Sequence, residues 1–175
     1  MKHPDALQER AKTLYLHGLL AHWDEAVAAG WPPTLIGWED EERARRSLER
    51  RIKDAHLGRF KPLCDFDWKW PTAIDRATFE SLMTLEFLKN ATNVLLVGPN
   101  GVGKSTLARN LAYQALIHGH TALFTSAGQL LGELASLDSD SALSRRLRHY
   151  ATPTLLIIDS CAAGSYVELP DMGPI

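Results

Sequence analysis

Apolar residues recur at helical spacing from the start of the chain. Over residues 5–29, Leu7, Leu14, Leu19, Leu20, Trp23 and Val27 predict a helix whose middle is weakened by Gly18. The run Gly30-Trp31-Pro32-Pro33 ends it, because proline cannot continue the hydrogen-bond ladder. A second helix is expected over 38–57. It opens with Glu39, Asp40, Glu41 and Glu42 and continues with Arg43, Arg45, Arg46, Arg50, Arg51 and Lys53, an order that suits the helix dipole. Gly58 is its expected C-cap.

Residues 60–73 form an extended, aromatic-rich connector, and helix returns over 75–89 with Phe79, Leu82, Met83, Leu85, Phe87 and Leu88 on one broad face. The pattern then changes. Val94-Leu95-Leu96-Val97 is a short apolar run entering a glycine-rich turn, the signature of a buried parallel strand. Helix follows at 104–118, a strand at 122–125, helices at 129–134 and 142–150, and a strand at 154–159. After Cys161 no period remains. Strands alternating with helices predict an α/β fold with a parallel sheet behind an N-terminal helical region.

Composition narrows this little. An apolar fraction of 45%, a charged fraction of 23% and a net charge of −2 describe an ordinary soluble globular chain, so a nucleic-acid partner would be met by a local patch. Cys64 and Cys161 lack metal-ligand spacing and are expected as free thiols. No apolar run approaches the roughly 20 residues of a membrane span, and the N-terminus lacks a signal-peptide core. The expectation is a cytoplasmic protein.

The chemistry is concentrated in Gly98-Pro99-Asn100-Gly101-Val102-Gly103-Lys104-Ser105, which fits G-x-x-x-x-G-K-[ST] at every fixed position. Glycines let the backbone curl so that successive N–H groups face phosphate oxygens. Lys104 would reach the β- and γ-phosphates of a purine nucleoside triphosphate, Ser105 would join the Mg²⁺ shell, and the following helix would direct its positive end at the anion. Asp159 ends an apolar strand 55 residues beyond Lys104, where a carboxylate would hold Mg²⁺ through water. No guanine-reading N-K-x-D occurs, which favours ATP over GTP without deciding it. An ABC-type ATPase is disfavoured: no LSGGQ-like signature lies between the loop and Asp159, and the gap is too short for that family's helical insertion.

Asp65-Phe66-Asp67, Ile74-Asp75-Arg76, Leu82–Phe87, Asn93–Pro99, Ala122-Leu123-Phe124 and Leu155–Asp159 follow one another as in the IstB-like ATPases, helper proteins of insertion-sequence transposition related to DnaC-type helicase loaders. The chain resembles that family well over residues 40–160. The resemblance implies an AAA+ P-loop core, a three-layer α/β/α domain, with Gly98–Ser105 and Thr106 binding ATP and with Ser105 and Asp159 serving Mg²⁺. It also implies assembly of intact relatives as homo-oligomers on double-stranded DNA, and recruitment of a cognate transposase. Arg43, Arg45, Arg46, Arg50, Arg51 and Lys53 become candidate DNA or partner contacts; the alternative is a solvated helix face neutralised by its own acids.

Three departures qualify the resemblance. Thr106 replaces the histidine usual after G-K-[ST], with the metal hydroxyl kept. Ser160 stands where a second acid normally orients the attacking water, so binding should survive better than hydrolysis. Finally, the AAA+ strand order is 5-1-4-3-2 and only strands 1–3 are present, so Val94–Val97 lacks its neighbours and the core is expected to be incomplete. The expected organisation is a helical region at 1–59, a connector and helix at 60–90, a partial ATPase domain at 91–160, and a disordered, non-family tail at 161–175. These departures suggest a C-terminally truncated family member, produced by a frameshift or premature stop, whose ATP hydrolysis is doubtful. A DnaC-like helicase loader and a non-catalytic regulatory binding fragment are the competing functions.

Overall fold

The computed structural model describes residues 4–69 and 75–160. The expected tail at 161–175, with Cys161, and the Trp70–Ile74 part of the connector lie outside the described residues. The chain divides into two compact units, Met1–Arg50 and the part from Arg51 onward.

The first unit is helical: α1 (Pro4–Thr13), α2 (His17–Ala21), α3 (Trp23–Ala29) and most of α4 (Pro32–Asp54). Ala11, Leu14, Leu19, Ala26 and Ile36 form its buried centre, with Leu7, Leu20 and Trp23 packed around them. The single helix expected over 5–29 is three. Its breaks fall at Tyr15, held at φ +57°, and at His22, which caps both neighbours; Gly18 lies inside α2. Each turn re-aims the chain so that apolar residues from all three pieces meet one centre.

Gly30 closes α3 in the left-handed region at φ +78°, as the glycine-proline run predicts. The two prolines then begin α4 rather than preceding it, because a first turn has no intrahelical use for their missing N–H. The helix therefore starts six residues before the expected boundary and carries no acid in its first turn. It ends at Asp54, ahead of Gly58, with His56 taking a left-handed conformation at φ +54°.

The second unit is α/β. It contains α5 (Arg76–Leu82), α6 (Glu86–Lys89), α7 (Lys104–Ile117), β1 (Ala122–Ser126), α8 (Ala127–Ala135), α9 (Asp140–Ala151) and β2 (Leu155–Asp159). The helix expected over 75–89 breaks at Leu85, whose φ of +64° turns its side chain into a cluster with Leu111 and Ala115 of α7. Asp75 caps α5 by accepting the Thr78 N–H at 2.9 Å. Burial is worth more here than a straight helix, since covering a leucine is worth about 1.5–3 kcal/mol.

β1 and β2 pair in parallel, Ala122 against Leu155 through Ser126 against Asp159. This is the parallel sheet of the expected P-loop class, formed by the second and third expected strands. Val94–Val97 is a correction: among the described residues it lies outside every strand, with Leu95 85% and Val97 78% exposed. An apolar run becomes a strand only when another backbone receives its N–H and C=O groups. The far edge of β1 accepts different company, Phe124 N–H donating to the Ala55 carbonyl at 2.9 Å. Residues 94–96 line the same cavity as β2 without pairing with it as a strand.

Candidate phosphate-binding site

The loop between residue 97 and α7 owes its shape to two glycines. Gly101 and Gly103 sit at φ +82° and +91°, a region that costs L-residues about 1–2 kcal/mol. At Gly103 the restriction is also steric: a Cβ there would lie 2.6 Å from Phe66 Cε2. Gly103 is the N-cap of α7, its carbonyl accepting the Leu107 N–H at 3.0 Å. The 14-residue helix thus begins at Lys104 and presents the positive end of its dipole to the loop.

Lys104 bends back over this turn. Its ammonium donates to the carbonyls of Gly98 and Pro99, both at 2.7 Å, closing the loop into a ring. Ser105 follows on the first turn of α7, and Asp159 ends β2, in register with Ser126 of β1. Lys104, Ser105, Asp159 and Ser160 all line one cavity of about 580 Å³, whose remaining walls include residues 93–96, the rest of β2, Ala108 and Leu111 of α7, and Tyr150. The loop residues Gly98–Gly103 and Thr106 do not line it. The ammonium-bearing Lys104, the hydroxyls of Ser105 and Ser160 and the Asp159 carboxylate are thus part of one lining, beside apolar residues such as Leu95 and Leu156. The hydroxyl and carboxylate are hard oxygen donors, the type that Mg²⁺ takes alongside phosphate oxygens.

Two supporting residues escape sequence reasoning. Asn110 is only 6% exposed, and its amide nitrogen donates to the Lys61 carbonyl at 2.9 Å and the Thr106 carbonyl at 2.8 Å. It fastens the connector to the helix that begins where the loop ends. The only hint was a polar side chain on an apolar helix between Leu107 and Leu111. Arg109 places its guanidinium 4.5 Å from the Phe124 ring centroid, covering β1.

The basic stretch is largely engaged within the chain. Arg43 donates to the Leu14 carbonyl and pairs with Glu39. Arg45 and Arg46 both bind Glu42, whose carboxyl is pulled down to about 2, first by the Arg45 hydrogen bond and then by that of Arg46. Arg45 also pairs with Glu49, and Arg51 donates to the Leu116 carbonyl at 3.1 Å. Arg50 and Lys53 are exposed. Cys64 is an exposed free thiol. No helix among the described residues is long and apolar enough to cross a membrane.

The family model described as IstB-like ATP binding protein matches residues 10–168. A Geobacillus stearothermophilus protein, named as an ATP-binding protein of insertion sequence IS5376, is 33% identical over 71% of this chain and 50% of its own length. The corresponding IS21 protein of Pseudomonas aeruginosa is 36% identical over 67% of this chain and 44% of its own. An insertion-sequence ATP-binding protein of Mycobacterium tuberculosis is 30% identical over 94% of this chain and 69% of its own. The chain thus spans about half the length of the first two relatives. A glycine-bent loop at the head of α7, followed by Lys104 and Ser105 that line one cavity with a strand-end carboxylate, agrees with that match, and the chain belongs to the family of IstB-like ATP-binding proteins.

Proposed function

We propose that this chain binds ATP with Mg²⁺ at Gly98–Thr106 and Asp159, and that it serves an insertion sequence by assisting a transposase on double-stranded DNA. The observation that carries the binding claim is that Lys104 and Ser105, at the start of α7, and Asp159, at the end of β2, line one cavity. Loop amides and the helix terminus would hold the phosphates, and Lys104 would exchange the Gly98 and Pro99 carbonyls for phosphate oxygens. Mg²⁺, held by Ser105 directly and by Asp159 through water, would neutralise phosphate charge. The relatives' names, which join ATP binding to insertion sequences, support the biological setting.

Binding is the stronger half of this reading. Ser160, exposed beside Asp159, offers a neutral hydroxyl that cannot polarise water as a carboxylate does. An ATP titration in Mg²⁺ and again in EDTA, with Asp159→Asn in parallel, tests the site. Saturable binding that weakens in EDTA and in Asp159→Asn is expected. Equal affinity in all three cases contradicts the metal assignment. For the biological setting, phosphate release is measured with double-stranded DNA and the cognate transposase. Binding with little turnover is expected, and turnover rising in Ser160→Asp would locate the deficit at that position.

A further inference from the structure

A strap of chain runs along α7 and ends on the phosphate loop. Phe60 meets Tyr113 edge-on at 6.0 Å, the Lys61 carbonyl accepts from Asn110, and Phe66 reaches Gly103. The ring of Phe66 fills the place of a Cβ at Gly103, with Cε2 at 2.6 Å and Cζ at 3.1 Å from that point. The ring is braced in turn. Trp68 packs edge-on against it at 4.9 Å, Trp68 contacts the buried Phe79 at 5.8 Å, and the Arg76 guanidinium lies 5.1 Å from the Trp68 ring centroid.

Gly103 is the residue whose left-handed bend converts the loop into α7 and aims Lys104. A glycine there has wide backbone freedom, which must be lost when phosphate is gripped. A rigid ring packed against its Cα side removes part of that freedom before any ligand arrives. We propose that Phe66 is a positioning residue of the phosphate loop, holding Gly103 in the bend that presents Lys104 and the loop amides to a triphosphate. The proposal rests on the reading of Gly98–Thr106 as an ATP site.

The test compares Kd for ATP and for inorganic tripolyphosphate, both with Mg²⁺, in the wild type, Phe66→Ala, Phe66→Leu, Phe66→Tyr and Lys104→Ala, alongside thermal melts without ligand. Phe66→Ala is expected to weaken both ligands by about tenfold, the scale of lost preorganisation, while Phe66→Tyr stays within about twofold of wild type. If Phe66→Ala fails to fold, Phe66→Leu carries the comparison, with both ligands again weakened. Unchanged affinity in Phe66→Ala or Phe66→Leu, where the wild type binds in a Lys104-dependent manner, overturns the positioning role alone. A lowered melting temperature with an unchanged Kd does the same, because it marks a merely structural ring. Loss confined to ATP, with tripolyphosphate unaffected, overturns it in favour of direct contact with the base. No Lys104-dependent binding by the wild type overturns the ATP site and the proposal together.

Discussion

Asn110 donates its side-chain amide to the Lys61 carbonyl at 2.9 Å, joining two residues 49 positions apart. The same amide nitrogen donates to Thr106 one turn back, so a single buried group fastens the connector to the helix that begins at the phosphate loop. Removing it strands a carbonyl that the fold has placed for it. Asn110→Ala is expected to lower unfolding free energy by about 1–3 kcal/mol, the cost of an unsatisfied buried polar group. Denaturant melts measure this; a loss within about 0.5 kcal/mol would show that water replaces the amide freely.

The two apolar residues Leu111 and Leu95, both lining the cavity, should respond unequally to substitution. Leu111 is 4% exposed in the cluster with Leu85 and Ala115, so Leu111→Ala is expected to cost about 2–5 kcal/mol. Leu95 is 85% exposed, and Leu95→Ser is expected to stay within about 0.5 kcal/mol of wild type. Paired melts of the two variants check this. A Leu95→Ser loss as large as that of Leu111→Ala would mean that residues 94–97 are packed in solution.

Acid should loosen the junction of α8 and α9. Glu133 accepts from the Tyr150 hydroxyl, from Gln129 and from Arg146, in falling order of effect, and its carboxyl is pulled down from 4.5 to about 2. Because the folded value lies below the unfolded one, the stabilisation is fully present above about 4.5 and disappears as pH falls through about 2. Melting temperature across that window should fall more steeply in wild type than in Glu133→Gln. Parallel curves for the two proteins would remove Glu133 from the account.

Local chemistry explains what was legible from the chain. The loop octet is bounded by an apolar run and an amphipathic helix, and both β1 and β2 appear where the apolar runs at 122–125 and 154–159 predict them. Asp159 is identifiable because it closes the apolar run Leu155–Ile158, which the pattern predicts as a strand. The turns at Tyr15, His22 and Leu85 are not legible, since each breaks a helical pattern in order to bury neighbours distant in sequence. Likewise the apolar pattern of Val94–Val97 predicts a strand, but pairing depends on a neighbouring backbone that no local pattern records. The roles of Asn110 and Phe66 arise from contacts across 49 and 37 residues, which periodicity cannot register.

Calorimetric titration of ATP with Mg²⁺ into the wild type and Lys104→Ala tests the central claim most directly. Lys104 lines the cavity and carries the ammonium that would bind phosphate, and a hydrogen bond to a charged group is worth about 1.5–3 kcal/mol. The account predicts one saturable site in the wild type and at least about tenfold weaker binding in Lys104→Ala, with both proteins melting as folded chains. Equal affinities in the two, or no binding by a folded wild type, would contradict it.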